Sequence, residues 1–102
     1  MRLLLFFDLP MNTKDERRIY SKFRKYLISN GFNMLQFSVY AKIFPNRISL
    51  FQYIEGLKRN IPLKGAIRIM AVTEKQYEKM FIMVGGKSIQ EETITEDPMV
   101  IL

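Results

Sequence analysis

The 102-residue chain contains no cysteine and no histidine. Without thiols there is no disulfide, no thiolate metal site and no cysteine nucleophile. Without imidazole there is no serine–histidine triad, no imidazole base and no imidazole metal ligand. Any chemistry therefore falls to carboxylates, hydroxyls, Lys, Arg and water activated by a metal. Long apolar runs are also missing. The segment Leu3 to Phe7 is far too short to span a bilayer, and no small-residue cleavage site follows it. The chain is expected to be cytoplasmic, with no membrane partner, and it carries no repeats and no low-complexity segment.

Hydrophobic residues make up 48% and charged residues 25%, the balance of an ordinary folded domain rather than a disordered chain. A chain of this length has one core, and such small domains often complete their burial by oligomerising. The formal net charge of +6 favours a polyanionic partner, most simply nucleic acid.

Local signals order the elements. Arg2 to Asp8 reads as a buried strand ended by Leu9-Pro10. Thr13 and Glu16 have capping-box spacing, so a helix starts there, with Ile19, Phe23, Tyr26 and Leu27 on its inner stripe and Asn30-Gly31 closing it. From Asn33 to Phe44 the apolar positions Leu35, Phe37, Val39, Ala41 and Ile43 alternate with Gln36, Ser38, Tyr40 and Lys42, which predicts one strand or two short strands sharing a bend. A second helix carries Leu50, Phe51, Ile54 and Leu57 on one stripe and ends at Asn60-Ile61-Pro62. A strand over Ala66–Val72, a brief helical turn capped by Thr73 and a short strand at Phe81-Ile82-Met83-Val84 follow.

This order predicts an α+β ferredoxin-like β-α-β-β-α-β sandwich with an extra C-terminal strand. The domain is expected over residues 1–84. Residues 85–102 form a polar, acidic tail whose apolar end could add a strand to its own sheet or to that of a partner protomer.

In the first strand Leu3, Leu5 and Phe7 oppose Leu4, Phe6 and Asp8, and in Ala66–Val72 the residues Ile67 and Ile69 oppose Met70 and Val72. Both sheet faces are thus apolar, and two helices cover only one. A sheet-to-sheet homodimer is the economical way to bury the other. Asp8, the one carboxylate in the first strand, would meet its twin across that interface. Two close carboxylates repel unless they share a proton or bind a divalent cation. Mg2+ suits so sparse a site, and water activated by it could attack a phosphodiester without histidine. Taken alone, Asp8 equally reads as a turn residue accepting backbone N–H groups near Leu9-Pro10.

The first helix carries Lys14, Arg17, Arg18, Lys22, Arg24 and Lys25 against only Asp15 and Glu16. These six cations lie on one broad arc opposite the apolar stripe, spaced to meet successive phosphates and without base-reading residues. Lys58, Arg59 and Lys64 form a second, smaller basic group, and Lys87 stands alone.

Phe6-Phe7-Asp8-Leu9-Pro10, the Glu16-Arg17-Arg18 helix, Gly31-Phe32, Met34 through Tyr40 and Val72-Thr73-Glu74-Lys75-Gln76, in this order and spacing, resemble CRISPR-associated protein two, in its type II-like branch. The resemblance covers almost the whole chain. It implies a ferredoxin-like homodimer that bridges dimers of the CRISPR integrase, CRISPR-associated protein one, and holds duplex DNA during spacer acquisition. It also implies Asp8 as the candidate catalytic residue and Mg2+ ligand for cleavage of RNA or duplex DNA, with Gln36, Ser38 and Tyr40 near that acid. The C-terminal segment would contact the integrase or the opposite protomer. A toxin-like, metal-dependent endoribonuclease of the virulence-associated type shares the fold and the dimer and is the alternative. An RNA-recognition domain is disfavoured because Ala66–Val72 has no aromatic residue.

Overall fold

The computed structural model describes residues 1–84. Along the chain run β1 (Arg2–Asp8), α1 (Lys14–Ser29), β2 (Asn33–Gln36), β3 (Val39–Ile43), α2 (Arg47–Leu57), β4 (Ala66–Val72) and α3 (Glu74–Glu78). The strands form one antiparallel sheet in the order β2-β3-β1-β4. With β1 flanked by β3 and β4, and α1 and α2 as the two crossover helices, this is the ferredoxin-like arrangement.

The helix boundaries follow the sequence chemistry. Glu16 N donates to Thr13 Oγ1 at 3.1 Å and Thr13 N donates to Glu16 Oε1 at 3.0 Å, closing the capping box of α1. Asn30 caps the other end, and Gly31 takes φ +89° to turn the chain into β2. Asn46 caps α2, accepting from Ser49 N at 2.8 Å. Thr73 and Gln76 build a second capping box for α3.

The main core lies between the sheet and α1 and α2. It joins Leu3, Leu5, Phe7, Phe23, Leu27, Phe32, Tyr40, Leu50 and Leu57. Each fully buried Leu contributes about 1.5–3 kcal/mol relative to exposure. Phe7 sits at its centre, edge-on to Phe23 at 5.4 Å between centroids and stacked on Tyr40 at 5.7 Å.

Two expected core positions turn outward. Ile19 and Phe51 are exposed, while Tyr20 and Tyr53 pack against the core. The inner row of α1 is set by the buried pair Phe23 and Leu27, and Tyr20, three and seven residues before them, continues it better than Ile19. On α2 the same spacing from Leu50 reaches Tyr53, Ile54 and Leu57 and leaves Phe51 about 100° away.

The stretch from Asn33 to Phe44 is a hairpin, with Phe37 and Ser38 at the turn and Ser38 at φ +64°. A bulge between Met34 and Gln36 breaks the alternation, so the two strands do not share one continuous pattern. Phe81-Ile82-Met83-Val84, expected as a short strand, is not one, because no neighbouring backbone pairs with it among the described residues. The strand expected from the tail lies outside the described residues.

The second sheet face is less open than two covering helices would leave it. Leu4, Ala41 and Tyr77 form a small buried cluster there, flanked by Phe6, Leu35 and Val72. Tyr77 comes from α3, which a latch holds against the sheet. Arg2, 2% exposed, donates from Nε to both Glu74 carboxylate oxygens at 3.0 and 3.1 Å, and its guanidinium lies 3.9 Å from the Tyr77 ring centroid. Beyond α3 the face remains exposed at Ile43 and Met70, with Arg68 beside them on β4.

Candidate functional site

Asp8 ends β1 opposite Ala66 of β4. It is exposed, so its carboxylate stays hydrated in the protomer. Its carboxylate takes no hydrogen bond or ion pair among the described residues, so the turn-closing reading finds no N–H donor either.

What fixes Asp8 is its backbone. Gly65 adopts φ +100°, and a Cβ there would lie 2.6 Å from the Asp8 carbonyl oxygen and 2.6 Å from Leu9 Cδ2. Only glycine lets the start of β4 press this closely on the end of β1. Gly65→Ala combines an unfavourable backbone angle with overpacking, and about 2–4 kcal/mol of destabilisation is expected. Urea unfolding monitored by circular dichroism measures it. A midpoint equal to wild type would mean that the contact is not fixed as described.

Register decides which residues share the Asp8 face. Phe6 opposes Val39 on β3 and Arg68 on β4, and Val39 opposes Gln36 across the hairpin. Gln36, Val39, Phe6, Arg68 and Asp8 therefore line one side of the sheet. Tyr40 does not. It pairs with Leu5 and is 1% exposed in the core beneath the helices, so it lies on the opposite face from the acid with which the resemblance grouped it. Ser38 sits at the hairpin turn, where its carbonyl accepts from Phe7 N at 3.1 Å. The fold thus brings Gln36 to the Asp8 face, holds Ser38 at its margin by backbone and removes Tyr40.

Arg68 was missed by the sequence reading. It is exposed, shares the acid's face and is a diagonal neighbour of Asp8 across the β1–β4 pair, within reach of a long side chain. The available signal was a lone cation inside an otherwise apolar strand, Ala66-Ile67-Arg68-Ile69-Met70-Ala71-Val72.

The basic helix emerges as read. Lys14, Arg17, Arg18, Lys22, Arg24 and Lys25 are all exposed. Arg18 is paired with Asp15 at 3.1 Å, an exposed pair worth little, and Arg17 donates to the Met11 carbonyl at 3.3 Å. The other four form no ion pair among the described residues.

Tyr53 offers no proton chemistry. Burial, and then the neighbouring Tyr26, push its hydroxyl above the ordinary phenol range. Lys42 is likewise structural: it donates to the Asn30 carbonyl at the end of α1 and stands 5.0 Å from the Tyr53 ring centroid.

The hard oxygen of Asp8 is chemically suited to Mg2+. Among the described residues, however, no group of three or more acidic side chains could hold a metal ion. One protomer by itself therefore does not fit a resident cation. Two Asp8 carboxylates with waters and substrate phosphate oxygens would. No described helix is long and apolar enough to cross a membrane.

A ferredoxin-like sheet with a basic first helix and an exposed acid at the end of its first strand defines a class of small α+β proteins. Within it the chain belongs to the family described as CRISPR associated protein Cas2, whose model matches residues 1–80. The chain is 43% identical to the CRISPR-associated endoribonuclease Cas2 of Treponema denticola over 102 residues, the full length of both. It is 48% identical to that of Streptococcus mutans over 87 residues, 85% of this chain and 80% of the relative. The Acidovorax ebreus protein of the same name is 40% identical over 94 residues, 92% of each chain.

Proposed function

We propose that the chain is a CRISPR adaptation protein. It forms a sheet-to-sheet homodimer, holds duplex DNA along the cations of α1 and bridges dimers of the integrase, CRISPR-associated protein one, during spacer acquisition. The same dimer cleaves phosphodiesters with Mg2+ at the paired Asp8 side chains. The names of its relatives as endoribonucleases support the nuclease part.

The observation that carries the reading is the position of Asp8. It stands exposed on the sheet face that also exposes Met70 and Ile43, beside the partly buried Phe6 and Val39. Burying that face against its twin brings two carboxylates toward one axis and completes a donor set that a single protomer lacks. The cation, held there, would supply a Lewis acid for a phosphodiester oxygen. The chain's own contribution is to hold the two acids by rigid backbone and to place Arg68 on the face that a phosphate would approach.

Light scattering on the purified protein at micromolar concentration is expected to give twice the mass of one chain, and co-purification with integrase and a short duplex a defined larger assembly. A stable monomer would sink the reading, since neither the paired acids nor the bridge could then form.

A further inference from the structure

On the helix side of the sheet, away from Asp8's face, a groove of about 720 Å³ runs between α1 and the connection from α2 to β4. Its apolar lining includes Leu9, Ile19, Tyr26, Ile61 and Leu63. Several of these face water: Ile19 is 46% exposed, Ile61 43% and Leu63 104%. A leucine fully presented on a groove rim, continuous with other exposed aliphatics, forms a patch that a partner would cover.

The charges on the rim are not balanced in use. Asp15 is held by Arg18 at 3.1 Å, and Glu16 Oε1 accepts the N–H groups of Asn12 and Thr13 at 2.9 and 3.0 Å. Lys22, Arg59 and Lys64, on the same rim, form no ion pair among the described residues. Both acids already have partners within α1 and its cap, and three cations stand against two acids, so the groove offers an aliphatic floor under an edge of net positive charge.

From this geometry we infer that the groove docks an acidic, amphipathic segment of a partner protein, its Leu- or Ile-type side chains in the groove and its carboxylates on Arg59 and Lys64. A helix with apolar residues at every third and fourth position matches such a groove. Nucleic acid fits it less well. The floor's one partly exposed aromatic, Tyr26, already stacks on Phe23 at 6.3 Å between centroids, and a phosphate backbone would lie against Leu63 and Ile61. The inference is independent of cleavage at Asp8.

The test uses the full chain and a fluorescein-labelled 14-residue peptide, Leu at every third and fourth position and Glu elsewhere, read by fluorescence anisotropy. Saturable binding is expected, weakened at least tenfold by Leu63→Ser and by Arg59→Ala with Lys64→Ala, and lost when Lys replaces Glu in the peptide. Leu63 is fully exposed, so its replacement leaves the fold intact, which circular dichroism confirms. Four results would overturn the proposal. The first is no saturable binding, and the second is equal binding by Leu63→Ser. The third is peptide binding unaffected by the Arg59 and Lys64 changes while a 20-bp duplex binds tenfold more weakly, which assigns the rim to nucleic acid. The fourth is a tenfold gain in peptide affinity on Glu91→Lys with Glu92→Lys and Glu96→Lys, which assigns the groove to this chain's own tail.

Discussion

An Asp8→Ala protein is expected to lose divalent-cation-dependent cleavage of RNA and duplex DNA by about two orders of magnitude or more, the scale lost with one preorganised polar group. Its mass by light scattering and its thermal midpoint should stay at wild-type values. The second half of the expectation follows from the fold. Asp8 is exposed and makes no side-chain hydrogen bond or ion pair among the described residues, so its removal opens no cavity and strands no partner. Surface changes of this kind alter stability by about 0.5 kcal/mol or less. Asp8→Asn, of the same size but without charge, should lose cleavage equally, which separates electrostatics from shape. Full-rate cleavage by Asp8→Ala would remove the acid from the chemistry. If the wild-type protein cleaves nothing with any divalent cation, Asp8 is a strand-end residue and the bridging role stands alone.

Arg18→Glu combined with Lys25→Glu reverses two of the six cations on α1 and changes the net charge by −4, because each substitution replaces +1 with −1. Affinity for a labelled duplex should fall at least about 100-fold at physiological salt. The slope of log affinity against log salt should flatten by about 2, as two phosphate contacts and their counterions are lost. Both positions are exposed, and among the described residues only Arg18 forms an ion pair, with Asp15, in a pair of 77% and 80% exposed side chains whose loss costs little. Weaker binding would therefore report the surface and not a damaged fold. Anisotropy titrations at several salt concentrations give both numbers. An unchanged slope would move the duplex off α1, with Arg68 among the exposed cations that could then carry it.

The parts of the fold governed by neighbouring residues were readable in the chain itself. Thr13 and Glu16 placed the start of α1, Asn30-Gly31 its end, and Thr73 the start of α3, because caps depend on a few adjacent side chains and backbone angles. The alternation in β1 identified both apolar faces. It also put Asp8 on the face shared with Leu4 and Phe6, as the register confirms.

Where the reading went astray, the deciding partner was distant in sequence. Tyr40 belongs to an alternating strand either way. Its pairing with Leu5, after a hairpin containing a bulge, sends it into the helix-side core and away from the acid. Ile19 and Phe51 are as apolar as the Tyr20 and Tyr53 that pack in their stead. Their exposure reflects where α1 and α2 meet the sheet, which helical periodicity gives only to within about one residue. The strand expected at Phe81–Val84 depended on an edge to pair with, and hydrophobicity alone cannot supply one.

Periodicity, capping and charge are local properties, and they were enough to read the ferredoxin-like order, the predominantly basic first helix and the acid at the end of the first strand. Tertiary structure alone decided that α3 is latched over part of the second face by Arg2 and Glu74, that Gly65 clamps the backbone of Asp8, and that Arg68 joins the acid. It also created the groove between α1 and the α2–β4 connection. These features join residues from about 35 to 70 positions apart, and only the pairing of strands and the docking of helices brings such residues together.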